Sequence, residues 1–136
     1  MIEPKTIVLD NKLVTIWYYP TVKIIHHQFH HYTFGEPFRE ILMTALEAFE
    51  KHRCIKWLSD DRKFGALLPE DKAWGDAVWR PRVLEAGWKY WAMVLPSKVT
   101  GQMNIQKMVE EYAAMGVITK VHSDPEEAMK WLIDQT

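Results

Sequence analysis

The sequence predicts an α/β domain with a mixed, mostly parallel sheet, N-terminal antiparallel strands and about four helices. Three short runs rich in β-branched and aromatic residues come first, with turn residues between them. Strand-like and helix-like periods then alternate, which requires the crossover connections that join parallel strands. The length of 136 residues fits one domain, so residues 1–136 are interpreted as a single unit.

The N-terminal third predicts three strands. Asp10, Asn11 and Lys12 have the chemistry of a turn, because Asp and Asn tolerate left-handed backbone geometry. Pro20 ends the second apolar run, since proline cannot donate to a strand ladder. The predicted strands cover residues 6–9, 13–19 and 23–30.

The chain then changes to helical periodicity. Thr33 and Glu36 resemble a capping box, and Pro37 suits the first turn of a helix. Positive charge at residues 51–53 complements the helix dipole and marks the end of the helix. The predicted buried face consists of Phe38, Ile41, Leu42, Ala45, Leu46 and Phe49.

The remaining sequence predicts three strands, at residues 54–58, 88–95 and 117–121. A helix runs from Pro69 to about Arg80 and stops before Pro81. A third helix ends at the C-terminal cap Gly116, and Ser123-Asp124-Pro125 begins the last helix. The apolar faces of these two helices contain Ile105, Met108, Val109, Tyr112 and Ala113, and then Ala128, Met129, Trp131 and Leu132.

Composition excludes several classes of protein. The formal charge of −1 argues against a nucleic-acid binder, which needs a clear basic excess. Cys54 is the single cysteine and has no partner for an intramolecular disulfide, which is typical of a reducing compartment. The sequence shows no secretory signal and no membrane-spanning apolar run, so we expect a cytoplasmic protein.

The stretch IKWLSDDRKFG, residues 55–65, contains the end of a predicted strand and the loop that leads to the next helix. With this order of elements, the chain resembles the STAS domain, the fold of bacterial anti-sigma-factor antagonists, and related proteins compared with CRAL-TRIO lipid-exchange domains. The antagonists carry an Asp-Ser-Ser/Thr-Gly-Leu-like motif whose hydroxyl is phosphorylated by a partner kinase. Here the region reads Leu58-Ser59-Asp60-Asp61-Arg62, and the glycine is delayed to Gly65. The resemblance implies a non-catalytic regulatory or protein-interaction module.

The loop residues Ser59, Asp60, Asp61, Arg62 and Gly65 are therefore the candidate interaction site. Open α/β sheets bind ligands at the carboxyl ends of their strands. The aspartates could receive a cationic partner, and Arg62 could pair with either of them. The alternative is that Ser-Asp-Asp is ordinary loop and cap chemistry.

The stretch HHQFHH, residues 26–31, contains four of the six histidines. In a strand His26, Gln28 and His30 point to one face and His27, Phe29 and His31 to the other. Zinc requires three or four converging ligands, and the sequence shows no Cys/His spacing that supplies them. No cofactor is expected. His27, His30 and His31 are the weak candidates for metal binding, and a response to pH is the other possible role.

The seven tryptophans allow two interpretations. They can fill the core, because tryptophan is highly buried on average. Alternatively, Trp74, Trp79 and Trp88 can line a pocket between the second helix and the sheet. The pocket interpretation favours a second function, a carrier or sensor of a small apolar or lipid-like ligand. A homodimer through the N-terminal edge strand is also possible.

Overall fold

The structure, a computed structural model, describes residues 4–136. Within that range six strands form one sheet in the order β1-β2-β3-β4-β5-β6. The first three strands pair antiparallel, and β3 to β6 pair parallel. The strands are β1 Thr6–Asp10, β2 Val14–Tyr19, β3 Ile24–Phe29, β4 Lys56–Asp60, β5 Tyr90–Val94 and β6 Ile118–His122.

The helical segments complete an α/β fold. The first is α1 (Gly35–Lys51); α2 (Pro69–Trp74), a π-turn (Gly75–Trp79) and α3 (Arg80–Glu85) follow one another without a break. The last two are α4 (Met103–Ala114) and α5 (Pro125–Ile133). Residues 69–85 count as one helix, so the described chain has four, and the predicted fold class is confirmed. No helix within residues 4–136 is long and apolar enough to cross a membrane.

The sheet has a different cover on each face. One face carries α1, residues 69–85 and α4 over a large aromatic core that includes Phe49, Trp57 and Trp88. The other face carries α5 over a smaller core that includes Tyr19 and Leu58. β4 and β5 therefore have apolar cover on both sides, as the continuous apolar run of β5 predicts.

Three sequence predictions about element ends are wrong. Phe34 precedes α1 without a side-chain cap, and the Thr33 hydroxyl donates to the carbonyl of His31, so there is no capping box. β4 begins two residues later than predicted, which places Ser59 and Asp60 in the strand. The helix continues past Pro81, contrary to the prediction. The π-turn just before it changes the backbone hydrogen-bond register, so α3 starts afresh at Arg80 and Pro81 lies in its first turn, where the missing N–H and the ring of proline are tolerated.

Candidate functional site

The candidate site lies at the carboxyl edge of the parallel strands. Parallel pairing places the ends of β3, β4 and β5 side by side, with His27 opposite Ser59 and Ser59 opposite Met93. The chain leaves β4 at Asp61, whose backbone N–H donates to the carbonyl of Val94 over 2.9 Å. The β3–α1 turn and the β4–α2 loop therefore share one end of the molecule.

Ser59 lies inside the core and not on the loop surface. It is buried, and its hydroxyl oxygen accepts a hydrogen bond of 2.8 Å from Trp91 Nε1. A kinase could reach this hydroxyl only if the aromatic core beside β4 opened.

His27 joins Trp57 to Asp61 in a chain of hydrogen bonds. The indole Nε1 of Trp57 donates to Nδ1 of His27 over 3.0 Å, and Nε2 of His27 lies 2.9 Å from Oδ1 of Asp61. An indole N–H only donates, so Nδ1 is the acceptor and Nε2 carries the proton that reaches the carboxylate. Both ring nitrogens are therefore engaged, and neither is free to ligate a metal or to accept a proton from a substrate.

Asp60 is held by the residue two positions beyond it. Arg62 donates from Nε to Oδ1 over 2.9 Å and from Nη2 to Oδ2 over 2.7 Å. The carboxylate is buried, whereas the guanidinium side chain is 38% exposed. The hydrogen bonding that Arg62 donates to Asp60 is the main reason why the pKa of Arg62 is raised. The pair is the bidentate kind that fixes both side chains.

Ser59, Asp60 and Asp61, here called the inner segment, thus direct their polar groups into the protein. The loop beyond them turns outward at Gly65. Phe64 packs between Phe29 and Phe38, with ring centroids 4.8 and 5.4 Å away. Gly65 has φ +91°, and a Cβ there would lie 2.8 Å from Cδ1 of Tyr32. Its missing side chain is what lets the loop backbone lie against the Tyr32 ring.

Three apolar side chains stand exposed beside this contact. Tyr32 is 38% exposed, Phe34 53% and Leu67 47%. The Tyr32 and Phe34 rings are 5.3 Å apart, and Leu67 lies two residues beyond Gly65. We call Tyr32, Phe34 and Leu67 the apolar rim. The sequence analysis did not predict this rim. Two aromatic residues, Tyr32 and Phe34, in the short turn before a helix were the signal that could have indicated it.

A buried aspartate fixes the base of the rim. Asp71, in the first turn of α2, accepts from the backbone N–H of Gly35 over 2.9 Å and from Nε of Arg39 over 3.2 Å. Asp71 therefore caps α1 from another element and ties the β3–α1 turn to the β4–α2 loop. The two segments that carry the rim are held as one unit.

The remaining histidines of HHQFHH have separate environments. His26 is buried on the α5 side beside Tyr19, and desolvation, followed by the neighbouring His27, lowers its pKa to about 3. His30 donates from Nε2 to Thr15, because the Thr15 hydroxyl itself donates to Asp10. His31 is exposed. Among residues 4–136 no group of three or more metal-binding side chains comes together.

The tryptophans of the predicted pocket pack against other rings. Trp79 and Trp88 are 5.5 Å apart between centroids, and each indole N–H donates to a backbone carbonyl. Trp74 lies edge-on to Phe38. Two surface depressions among the described residues, of about 450 and 570 Å³, are open to solvent, and none of these three indoles lines them.

Cys54 behaves as a core residue. It is fully buried at the end of the α1–β4 turn, and burial raises the pKa of its thiol to about 12. A thiol of that pKa is protonated at neutral pH and is a poor nucleophile.

The chain has no match among known protein families, curated proteins or solved structures. The resemblance to STAS domains that the order of elements suggests stays a prediction. What the protein does is therefore inferred from the geometry at the carboxyl edge of its sheet.

Proposed function

We propose that this protein is a non-catalytic, STAS-like regulatory or interaction module that binds a protein partner at the carboxyl edge of its sheet. The observation that carries the proposal is the apolar rim: three large exposed side chains on two segments that Asp71 and Phe64 hold together. Exposed apolar groups on a rigid support are typical of protein contact sites. Cys54 is the single cysteine of the sequence and has no partner for an intramolecular disulfide, which favours a reducing compartment such as the cytoplasm.

The contact residues differ from those that the loop sequence favours. The carboxylates of Asp60 and Asp61 are bonded to Arg62 and His27, so a cationic partner would have to displace those bonds. The accessible residues of the outer loop are Arg62, Lys63 and residues 65–67, together with Tyr32 and Phe34, whereas Phe64 is buried. Ser59 is buried, which favours a module without the phosphoswitch of the antagonists.

A carrier function receives less support. A ligand of lipid size needs an enclosed apolar space, and binding pockets usually exceed about 300 Å³ with most of the ligand surface buried. Trp74, Trp79 and Trp88 are in contact with aromatic neighbours, and the two open depressions are lined largely by charged and polar side chains.

The test is site-specific photo-crosslinking in cells. A photoreactive residue replaces Phe34 in one variant and Met103, a side chain 71% exposed on α4, in a second. We expect a discrete crosslinked product from position 34 and none from position 103. The product should disappear when Leu67→Ser is added. If both positions yield the same products, or neither yields any, the rim is not a protein contact site.

A further inference from the structure

The charges around the apolar rim divide into two sides. Arg62 and Lys63 follow the end of β4 and stand over the sheet edge, because the neighbouring Asp61 is anchored there to His27 and Val94. Glu36 and Glu70 lie in the first turns of α1 and α2, which Asp71 holds together on the helical side. Along the chain from β4 to α2 the unpaired positions are therefore basic at Lys63, apolar at Leu67 and acidic at Glu70. The two basic residues on the helical side, Arg39 and Lys72, are paired with Asp71 and Asp76.

The free charges on the two sides have no internal counterparts. Lys63, Glu36 and Glu70 are exposed, and none of them forms an ion pair within residues 4–136. Arg62 is bonded to Asp60 through Nε and Nη2, which leaves Nη1 free to meet another acceptor. When a second copy of such a surface is rotated by 180° and placed against the first, the basic side of each copy faces the acidic side of the other.

We propose that the apolar rim is the two-fold interface of a homodimer, in which the basic side of one copy faces the acidic side of the other. In a two-fold interface the same patch is used by both copies, so each favourable charge contact occurs twice. Phe34 and Leu67 of one copy pack against those of the other at the centre. This inference rests on the proposed function, since it names the partner of the same surface.

The edge strand β1 is a weaker candidate for self-association. Its pairing with β2 is interrupted by a bulge between Ile7 and Leu9. Bulges twist an edge away from regular pairing and are a common protection against edge-to-edge association. The rim, in contrast, has no comparable protection.

The first test measures association of the full chain by sedimentation equilibrium over roughly a hundredfold range of concentration, in which mass action reveals a weak dimer. Wild type is compared with Phe34→Ser and Lys63→Glu, and with the matched controls Met103→Ser and Lys107→Glu on α4. We expect a monomer–dimer equilibrium that Phe34→Ser abolishes. Lys63→Glu should raise the dissociation constant about tenfold, because two surface ion pairs turn repulsive. The controls should match wild type.

The decisive variant is the charge exchange Lys63→Glu with Glu70→Lys. In a two-fold interface the exchanged charges meet again with opposite sign, so dimerisation should recover to within about threefold of wild type. Circular dichroism melting checks that every variant folds. A monomeric wild type at all concentrations, a dimer indifferent to Phe34→Ser, or no recovery in the exchange variant would overturn the proposal that the rim is a charge-paired two-fold interface.

The photo-crosslink at position 34 separates this inference from the proposed function. A crosslinked product of twice the chain mass supports the homodimer. A product that contains a different protein, found with a monomeric wild type, overturns the homodimer and leaves the interaction module in place. No product from position 34, together with a monomeric wild type, overturns both.

Discussion

The inner segment and the apolar rim lie at the same edge of the sheet but use their side chains in opposite ways. Ser59, Asp60 and Asp61 are polar, yet their side chains bond to Trp91, Arg62 and His27. The rim residues are apolar and exposed. Polar residues are therefore not the accessible ones in this part of the protein. The fold brings hydrogen-bond partners next to the polar side chains of the inner segment, and the apolar rim is what remains exposed.

This difference predicts contrasting effects of substitutions in the two regions. Changes in the inner segment should reduce the free energy of unfolding, because they leave buried polar groups without partners. Changes in the rim should leave stability almost unchanged and alter binding instead, because exposed side chains contribute little to the fold.

The largest effect is expected for His27→Leu. The substitution leaves the indole N–H of Trp57 unpaired inside the core and removes the donor to Asp61, so the free energy of unfolding should fall by about 3 kcal/mol. Urea denaturation measures it. His31→Leu is the matched control, since His31 is exposed, and it should change stability by less than about 0.5 kcal/mol. Equal effects of the two substitutions would contradict a contribution of the Trp57–His27–Asp61 hydrogen bonds to the free energy of unfolding.

Gly65→Ala should have the next largest effect, because Gly65 lies at the boundary between the two regions. Its positive φ is unfavourable for alanine, and the new Cβ would press on the Tyr32 ring, so we expect a loss of about 2 kcal/mol. Gly75→Ala is the control, because Gly75 is helical and has open space around it. It should be neutral or stabilising by about 0.5 kcal/mol. Thermal and urea unfolding of the two variants should therefore differ in sign or clearly in size.

A smaller effect should appear in the pH dependence of stability. The pKa of His26 is about 3 in the folded protein and 6.5 without perturbation, so between these values the unfolded chain binds a proton that the folded chain does not. Stability should fall as pH is lowered through this window, by up to about 1 kcal/mol per pH unit.

The variant His26→Gln should flatten that dependence between pH 6.5 and 5, above the range in which carboxylates titrate. His31→Gln, at an exposed position of the same stretch, should keep the wild-type slope. Denaturation midpoints at several pH values provide the measurement. A slope that His26→Gln leaves unaltered would contradict a buried neutral His26.

The smallest effect on stability is expected at the rim. Phe34→Ser and Leu67→Ser should each change the free energy of unfolding by less than about 0.5 kcal/mol, since both side chains are about half exposed. Leu67→Ser should remove the product crosslinked from position 34, and Phe34→Ser should abolish the dimer described above. A loss of stability as large as that of His27→Leu would mean that the rim serves the fold and not a partner.

Much of the fold was predictable because its signals are local. The order of strands and helices, the apolar face of α1 and the cap at Gly116, which has φ +92°, agree with the sequence pattern. Asp124 caps α5, and its side chain accepts from the N–H of Glu126, as the Ser-Asp-Pro sequence predicts. Periodicity and caps act over a few residues, so the sequence alone expresses them.

The predicted site was less complete. The loop after β4 was placed at the carboxyl edge of the sheet, and Arg62 pairs with Asp60, one of the two aspartates within its reach. The later start of β4 decided that Ser59 and Asp60 lie inside the sheet. A shift of strand boundaries by two residues is small, but it exchanges a loop environment for a buried one.

By itself, the sequence determined the class of fold and the alternation of faces within β3, which separates His26 from His27. Only the tertiary structure decided what those side chains do. His27 finds Trp57 and Asp61, which are 30 and 34 positions away, and Gly35 finds the cap Asp71 from another helix. The physical reason is range: periodicity acts between neighbours in the chain, whereas a buried polar group is satisfied by whichever partner the packing of the sheet brings within about 3 Å.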